Sequence, residues 1–297
     1  MKPVILAFPD MRPLAADLAP LLGAEQLDLA WRHFPDGESL VTLPPDLAGR
    51  EVIFLATLRD PDRLALPLRF AAETARAFGA QSVGLIAPYL GYMRQDKRFH
   101  PGEALSAPLF SAFLGESFDW LATVDPHLHR NPDLSRLFAI PAAHAAAAPV
   151  IADWIGKNIP DAVLFGPDSE SQQWVAEVAR LAQRPYEVLQ KIRRGDRAVE
   201  VSLPDSDTLR GGTPVILDDI ASSGQTMVRT LQHLDALGAN AAVCVVIHAV
   251  FAGSAYEDIL AAGAARIVST NTITHDSNEI SVAPLLADVA RKTGRIT

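Results

Sequence analysis

PVILDDIASSGQTMVRTLQHL, residues 214–234, decides the fold. An apolar run, Val215–Leu217, has the look of a buried strand. It meets two adjacent carboxylates, Asp218 and Asp219, and then a loop of small residues, Ser222, Ser223 and Gly224, followed by Gln225 and Thr226. A helical pattern opens directly afterwards. Carboxylates at the C-terminal end of a parallel strand face the crevice where open α/β sheets bind ligands. Backbone N–H groups that converge on a helix N-terminus favour a phosphate, through their unsatisfied donors and the helix dipole. Glycine at 224 lets the backbone come close. The two acids are then placed to accept hydrogen bonds from a pair of sugar hydroxyls. An acid pair followed by serines also reads as a plain helix cap; the apolar run before it favours the crevice.

Outward from this stretch, short apolar runs alternate with amphipathic segments. Strands are expected at residues 4–7, 52–56, 82–87, 120–124, 162–165, 215–217, 242–247 and 266–269. Helical periodicity covers residues 63–78, 170–182, 227–237 and 255–262, with a last helix over 282–292. Strand–helix–strand order implies mainly parallel sheets flanked by helices. Three helical segments end in Gly-Ala before a strand, at Gly79, Gly238 and Gly263, where glycine tolerates the left-handed turn that closes a helix. This grammar in both halves points to two similar α/β domains, residues 1–143 and 144–297, with the last helix able to pack back on the first. The alanine-rich patch at 142–148, broken by His144 and Pro149, reads as a helix start or a loop.

The 297 residues suit two domains, and 49% hydrophobic residues supply two cores. A formal charge of −9 argues against a nucleic-acid surface. No stretch approaches the roughly 18 apolar residues of a membrane span, and no secretory leader is evident. The single cysteine, Cys244, lies in an apolar run, which excludes a disulfide framework and a cysteine-rich zinc site and suits a reducing cytosol.

Five further segments carry chemistry. In Phe34-Pro35-Asp36-Gly37-Glu38, an aromatic ring stands beside two acceptors, Asp36 and Glu38, although Pro-Asp-Gly is also a strong turn signal. In PYLGYMRQDK, residues 88–97, Arg94 offers a fixed cation for a polyphosphate, with Gln95 and Asp96 beside it. Asp125-Pro126-His127 sits just past a strand, with a weaker candidate at His129, and Asp168 lies in Gly166-Pro167-Asp168 after another strand. Lys191 and Arg193, in a basic segment around Gly195, suit charge neutralisation on a transferred group. Read alone, Asp-Pro-His is more often structural, and a basic glycine-containing loop is usually a hairpin.

Taken together, in this order from Phe34 to Thr226, the segments resemble the phosphoribosyl pyrophosphate synthetases (ribose-phosphate pyrophosphokinases) of the type I phosphoribosyltransferase fold. The resemblance implies an α/β chain of two phosphoribosyltransferase-type domains and a Mg²⁺-dependent enzyme. That enzyme moves pyrophosphate from ATP to C1 of ribose 5-phosphate. It implies that Phe34, Asp36 and Glu38 contact adenine across a subunit interface in a homo-oligomer, and that Arg94, Gln95 and Asp96 bind ATP. It further implies Mg²⁺ at His127 and Asp168, catalysis by Lys191 and Arg193, and a cytoplasmic enzyme. The 218–226 loop alone also fits a nucleobase phosphoribosyltransferase, and a non-catalytic regulatory paralogue would share every segment. The chain departs from the family's usual glycine pair with Glu170 and Ser171, and carries Ser222 where an acid is frequent and Gln225 where glycine often stands.

Overall fold

A computed structural model describes residues 1–98, 100–128, 133–168, 171–189 and 211–293, and the backbone of 191–194 and 198–201. The chain forms two compact units. The first comprises Met1–Ala146, Thr272–Thr274 and the chain from Val282 onward; the second comprises Ala147–Asn271 and His275–Ser281.

The first unit is built on β1 (Val4–Ala7), β2 (Glu25–Asp28), β5 (Glu51–Leu55), β6 (Ser82–Ala87), β7 (Trp120–Val124) and β8 (Ala142–Ala145). They form one sheet in the order β2-β1-β5-β6-β7-β8, with every pairing parallel. Four of these strands are buried nearly throughout, as expected where both faces of a parallel sheet are covered. Helices α1 (Arg12–Leu21), α2 (Pro61–Ala77) and α3 (Ser106–Gly115) connect them. A separate antiparallel ribbon, β3 (Ala30–His33) with β4 (Ser39–Thr42), carries Phe34–Glu38 in its turn. Gly84 faces Trp120 across the β6–β7 ladder, and a Cβ at 84 would sit 2.0 Å from the indole. Glycine here makes room for the largest fully buried side chain.

The second unit repeats the plan. Its strands are β9 (Ala162–Gly166), β10 (Tyr186–Val188), β13 (Thr213–Ile220), β14 (Val243–His248), β15 (Arg266–Thr270) and β16 (Asn278–Ile280), in the order β10-β9-β13-β14-β15-β16 and again all parallel. Helices α4 (Ala148–Asn158), α5 (Gln172–Ala182), α6 (Gln225–Ala236) and α7 (Ala255–Ala261) belong to it. A ribbon of β11 (Lys191–Arg194) and β12 (Ala198–Val201) lies outside the sheet. The final helix, α8 (Ala283–Lys292), packs in the first unit against α1, β7 and β8.

The expected strands and helices form within one to three residues of the pattern reading, and Gly79, Gly238 and Gly263 take φ of 82°, 71° and 101° where helices close. The alanine-rich patch differs. Its first half, Ala142–Ala145, is strand β8, paired with Leu121–Val124, and only Ala148 begins a helix. Pairing with a buried neighbour overrides alanine's helical preference there. Among the described residues, no helix is long and apolar enough to cross a membrane.

Candidate functional site

In the second unit the candidate residues gather at the C-terminal ends of β9 and β13. These strands pair directly, Phe165 opposite Ile216. β9 delivers Gly166-Pro167-Asp168. Asp168 is fixed by the turn that enters α5: its carbonyl accepts the Ser171 hydroxyl at 2.7 Å, and its carboxylate accepts the Ser171 N–H at 3.3 Å. Ser169 and Glu170, where the chain leaves the usual glycine pattern, lie outside the described residues. Gly166 has its own reason to lack a side chain, since a Cβ would sit 2.6 Å from Ser171 Oγ.

β13 delivers Asp218 and Asp219, and the amide of Asp219 donates to Asp218 Oδ1 at 2.9 Å. Burial, and next the charge of Asp219 with a further contribution from Asp168, push the Asp218 carboxyl well above its usual range. Three acids therefore share one crevice. That costs free energy when it is empty and is relieved by hydroxyl donors or a cation. Behind them, burial pushes the Cys244 thiol up to about 12, so it is an inert wall rather than a nucleophile.

The loop after β13 is clamped to its neighbour: Ala221 N–H donates to the His248 carbonyl at 3.2 Å, and Ala252 N–H to the Ser222 carbonyl at 2.9 Å. Gly224 caps α6 with φ 69°, packed against Ile259 and the Ala255 carbonyl, while Ser223, Gln225 and Thr226 are exposed. Helix α6 thus presents its first N–H groups to solvent, and these are the donors a phosphate takes.

In the first unit, two candidate segments leave adjacent strands. Arg94-Gln95-Asp96 follows β6 and Asp125-Pro126-His127 follows β7; Val124 N–H donates to the Pro88 carbonyl between them at 3.3 Å. Arg94 and Gln95 are exposed. The Gln95 carbonyl accepts from Ala107 N–H at 3.2 Å and its side-chain oxygen accepts the Ser106 hydroxyl at 2.6 Å, which leaves the amide NH₂ as the outward donor. Asp125 and His127 have φ of 34° and 54°, so simple strand alternation does not set their directions. A His127 N–H···O Asp125 bond of 2.8 Å closes this tight turn around Pro126. His129 lies outside the described residues.

Phe34, Asp36 and Glu38 form the tip of the β3–β4 ribbon. Phe34 N–H donates to the Glu38 carbonyl at 2.7 Å, and Glu38 N–H to Asp36 Oδ1 at 3.2 Å. The turn expected from Pro-Asp-Gly is present, and it holds a ring that is 37% exposed beneath the Arg32 guanidinium at 4.4 Å. Lys191 and Arg193 lie on β11, opposite Val201 and Val199; their side chains are outside the described residues. Motif reading missed Tyr92, whose hydroxyl donates to Asp62 on α2, and Ser106, which orients Gln95. Both act through contacts between segments far apart in sequence.

Known proteins match the chain over nearly its whole length. Residues 3–117 match the N-terminal domain of ribose phosphate pyrophosphokinase, and residues 133–285 match the phosphoribosyl transferase domain. The chain is 33% identical to a ribose-phosphate pyrophosphokinase of Methanothermobacter thermautotrophicus, over 97% of this chain and all of that one. It is 32% identical to the one from Methanopyrus kandleri, over 96% of this chain and 97% of that one. A crystal structure of phosphoribosylpyrophosphate synthetase from Mycobacterium smegmatis superposes with a TM-score of 0.83 at 24% identity, covering 99% of both chains; this shows the shared fold. With two parallel-sheet units, an acid pair at a phosphate-type helix start and relatives that match end to end, the chain belongs to the ribose-phosphate pyrophosphokinase family.

Proposed function

We propose that this chain transfers the pyrophosphoryl group of ATP to the C1 hydroxyl of ribose 5-phosphate, giving phosphoribosyl pyrophosphate and AMP. The observation that carries the reading is the acid pair Asp218–Asp219 leading within a few residues to the open N-terminus of α6. Asp218 and Asp219 accept from the ribose hydroxyls, and residues 222–226 take the 5-phosphate. The C1 oxygen attacks the β-phosphorus as the bond to the bridging α,β oxygen breaks, and the hydroxyl proton departs. Positioning and charge stabilisation supply most of the rate. Residues 1–143 form the ATP side and 144–297 the sugar side. Arg94, Gln95 and Asp96 grip the nucleotide, and Phe34, Asp36 and Glu38 serve the adenine of a neighbouring subunit in a homo-oligomer. Lys191 and Arg193 neutralise charge on the moving group.

Mg²⁺ fits the donor chemistry. Asp168 belongs to a crowded, partly desolvated group of carboxylates, and Mg²⁺ is typically held by one or two carboxylates together with substrate phosphates. Asp168 would hold it together with the substrate phosphates, and it would supply charge neutralisation on the polyphosphate. This reading places the enzyme in the cytosol. Unit 1 separates it from a nucleobase phosphoribosyltransferase, because that reaction needs no loop of the Arg94–Asp96 kind. The decisive experiment incubates the chain with ATP, Mg²⁺ and ribose 5-phosphate and identifies products by mass spectrometry. ATP consumption that ignores ribose 5-phosphate refutes the reading.

A further inference from the structure

Both six-stranded sheets share one order, in which the first strand lies between the second and the third. Winding reverses between first and third strands, and open α/β sheets bind ligands in the crevice at that switch point. In the second unit this is the crevice of Asp168, Asp218 and Asp219. In the first unit it lies between the ends of β1 and β5, which no step proposed above uses. A cavity of about 360 Å³ opens there, bounded by Phe8, Trp31, Thr57, Arg59 and Arg63 among others.

The registers relate the two crevices residue by residue. Ala7 pairs with Leu55, and Phe165 with Ile216. Counting forward from these pairs, Pro9-Asp10 occupies the place of Pro167-Asp168. Thr57 stands where the second unit has Asp218, Leu58 where it has Asp219, and Arg59 where it has Ile220. The same Pro-Asp step leaves the first strand of both sheets, but the acid pair is replaced by neutral side chains and arginines are added. Thr57 lines the cavity, and its Oγ1 is buried with no hydrogen-bond partner among the described residues. A buried hydroxyl without a partner costs free energy, which a ligand can recover. Arg63 carries its guanidinium 5.2 Å from the centre of the Trp31 ring, and Trp31 meets Phe8 edge to face at 5.5 Å.

From this we infer that the switch-point crevice of the first unit binds a mononucleotide, a planar ring bearing a phosphate, at a site beyond those of the proposed reaction. Arg59 and Arg63 supply the charge for the phosphate. Trp31 and Phe8 wall the ring, and the Thr57 hydroxyl and Asp10 carboxylate serve the sugar. The acid pair of the second unit has no counterpart at positions 57 and 58, and Arg59 and Arg63 face the cavity with the carboxylates of Asp10 and Asp60. The cavity falls within the range of small-molecule sites, roughly 300–1,000 Å³.

AMP is the probe, and Trp31 emission, taken as the difference between the full chain and its Trp31→Phe variant, is the local readout. It needs no turnover, so it stands apart from failure of the proposed reaction. Arg94→Ala removes AMP binding at the proposed ATP site. On that background AMP still quenches Trp31 and titrates to one per chain by calorimetry. Adding Arg63→Met weakens it about tenfold or more, as loss of a charged hydrogen bond does. Thr57→Val, of nearly equal volume, weakens it severalfold, with circular dichroism confirming that both variants fold. Adenosine and ribose 5-phosphate each act on Trp31 at least about tenfold more weakly than AMP. The inference is overturned if the Arg94→Ala chain gives no AMP-dependent Trp31 signal, or if Arg63→Met leaves the affinity unchanged. It is also overturned if ribose 5-phosphate matches AMP, which would make this a plain sugar-phosphate site.

Discussion

The hydroxyl of Tyr92 donates to Asp62 Oδ1, tying the loop that carries Arg94–Asp96 to the first turn of α2. Tyr92 holds this position with φ 68°, in the left-handed region that non-glycine residues seldom occupy, while Met93 beside it is buried in the core. The strained residue is held from both sides, and the proposed nucleotide loop inherits its place. Tyr92→Phe is expected to raise the KM for ATP severalfold with a smaller change in kcat, and to cost about 1 kcal/mol of stability. Steady-state kinetics and denaturant melts check both. The bond to Asp62, then desolvation and nearby carboxylates, raise the phenol pKa above its usual value. The stabilisation is therefore fully present below the unfolded pKa near 10 and is lost as pH rises through the higher folded value. The stability gap between wild type and the Tyr92→Phe variant should be flat from about pH 7 to 9 and close only in stronger alkali.

Asp218 shows the opposite balance of stability and function. Its carboxyl is raised by burial first and by Asp219 second. For an acid whose folded pKa exceeds its unfolded value, the protonated form favours folding, and stability declines as pH climbs from the unfolded pKa near 4 through the folded one. In the absence of divalent cation, Asp218→Asn should melt higher than wild type at about pH 8, and the difference should shrink towards about pH 4. The same variant should lose at least about 100-fold in ribose-5-phosphate-dependent turnover, because a hydrogen-bonding carboxylate is gone from the proposed sugar site. Melting curves across pH, beside the coupled AMP assay, test the pair of effects.

These cases show what a linear reading reaches. The buried strands announce themselves, because a strand covered on both faces is a continuous apolar run, as in Ser82–Ala87 and Trp120–Val124. The polar edge strand Glu25–Asp28, three of whose four residues are exposed, does not, since among the described residues its lateral partner is β1 alone. Helix α1 hides for another reason: Pro13 and Pro20 break the expected pattern, yet Leu14, Ala15, Leu18 and Ala19 still bury one face. At the candidate site, contiguous motifs such as Asp218–Thr226 were legible. Tyr92–Asp62 and Ser106–Gln95 were not, because each joins positions 11 to 30 residues apart whose meeting depends on tertiary packing.

Gly224 joins backbone conformation to the proposed phosphate cradle. It has φ 69°, and an added Cβ would lie 3.0 Å from Ile259 Cδ1 and 3.2 Å from the Ala255 carbonyl. Gly224→Ala is expected to cost about 1–2 kcal/mol, from left-handed strain together with this crowding. The shift falls on the amides that open α6, so the KM for ribose 5-phosphate should rise about tenfold or more while that for ATP changes little. An unchanged KM for the sugar phosphate would remove these amides from the 5-phosphate site.

The ribbon tip offers the sharpest test of how the proposed adenine site is assembled. Phe34 is 37% exposed on a two-stranded ribbon outside the six-stranded sheet, so truncating it removes little burial. Phe34→Ala should leave stability within about 0.5 kcal/mol of wild type while raising the KM for ATP about tenfold. Arg94→Ala should impair the same substrate from the other side of the site. If Phe34 serves a neighbouring chain, co-refolding the two impaired variants creates sites with Arg94 from one subunit and Phe34 from its neighbour. Random mixing in a symmetric oligomer then restores about a quarter of wild-type sites. Recovery of activity at low ATP on mixing, absent when each variant is refolded alone, supports a site built between chains. No recovery, with oligomers verified by light scattering, places Phe34 and Arg94 of one chain in the same site.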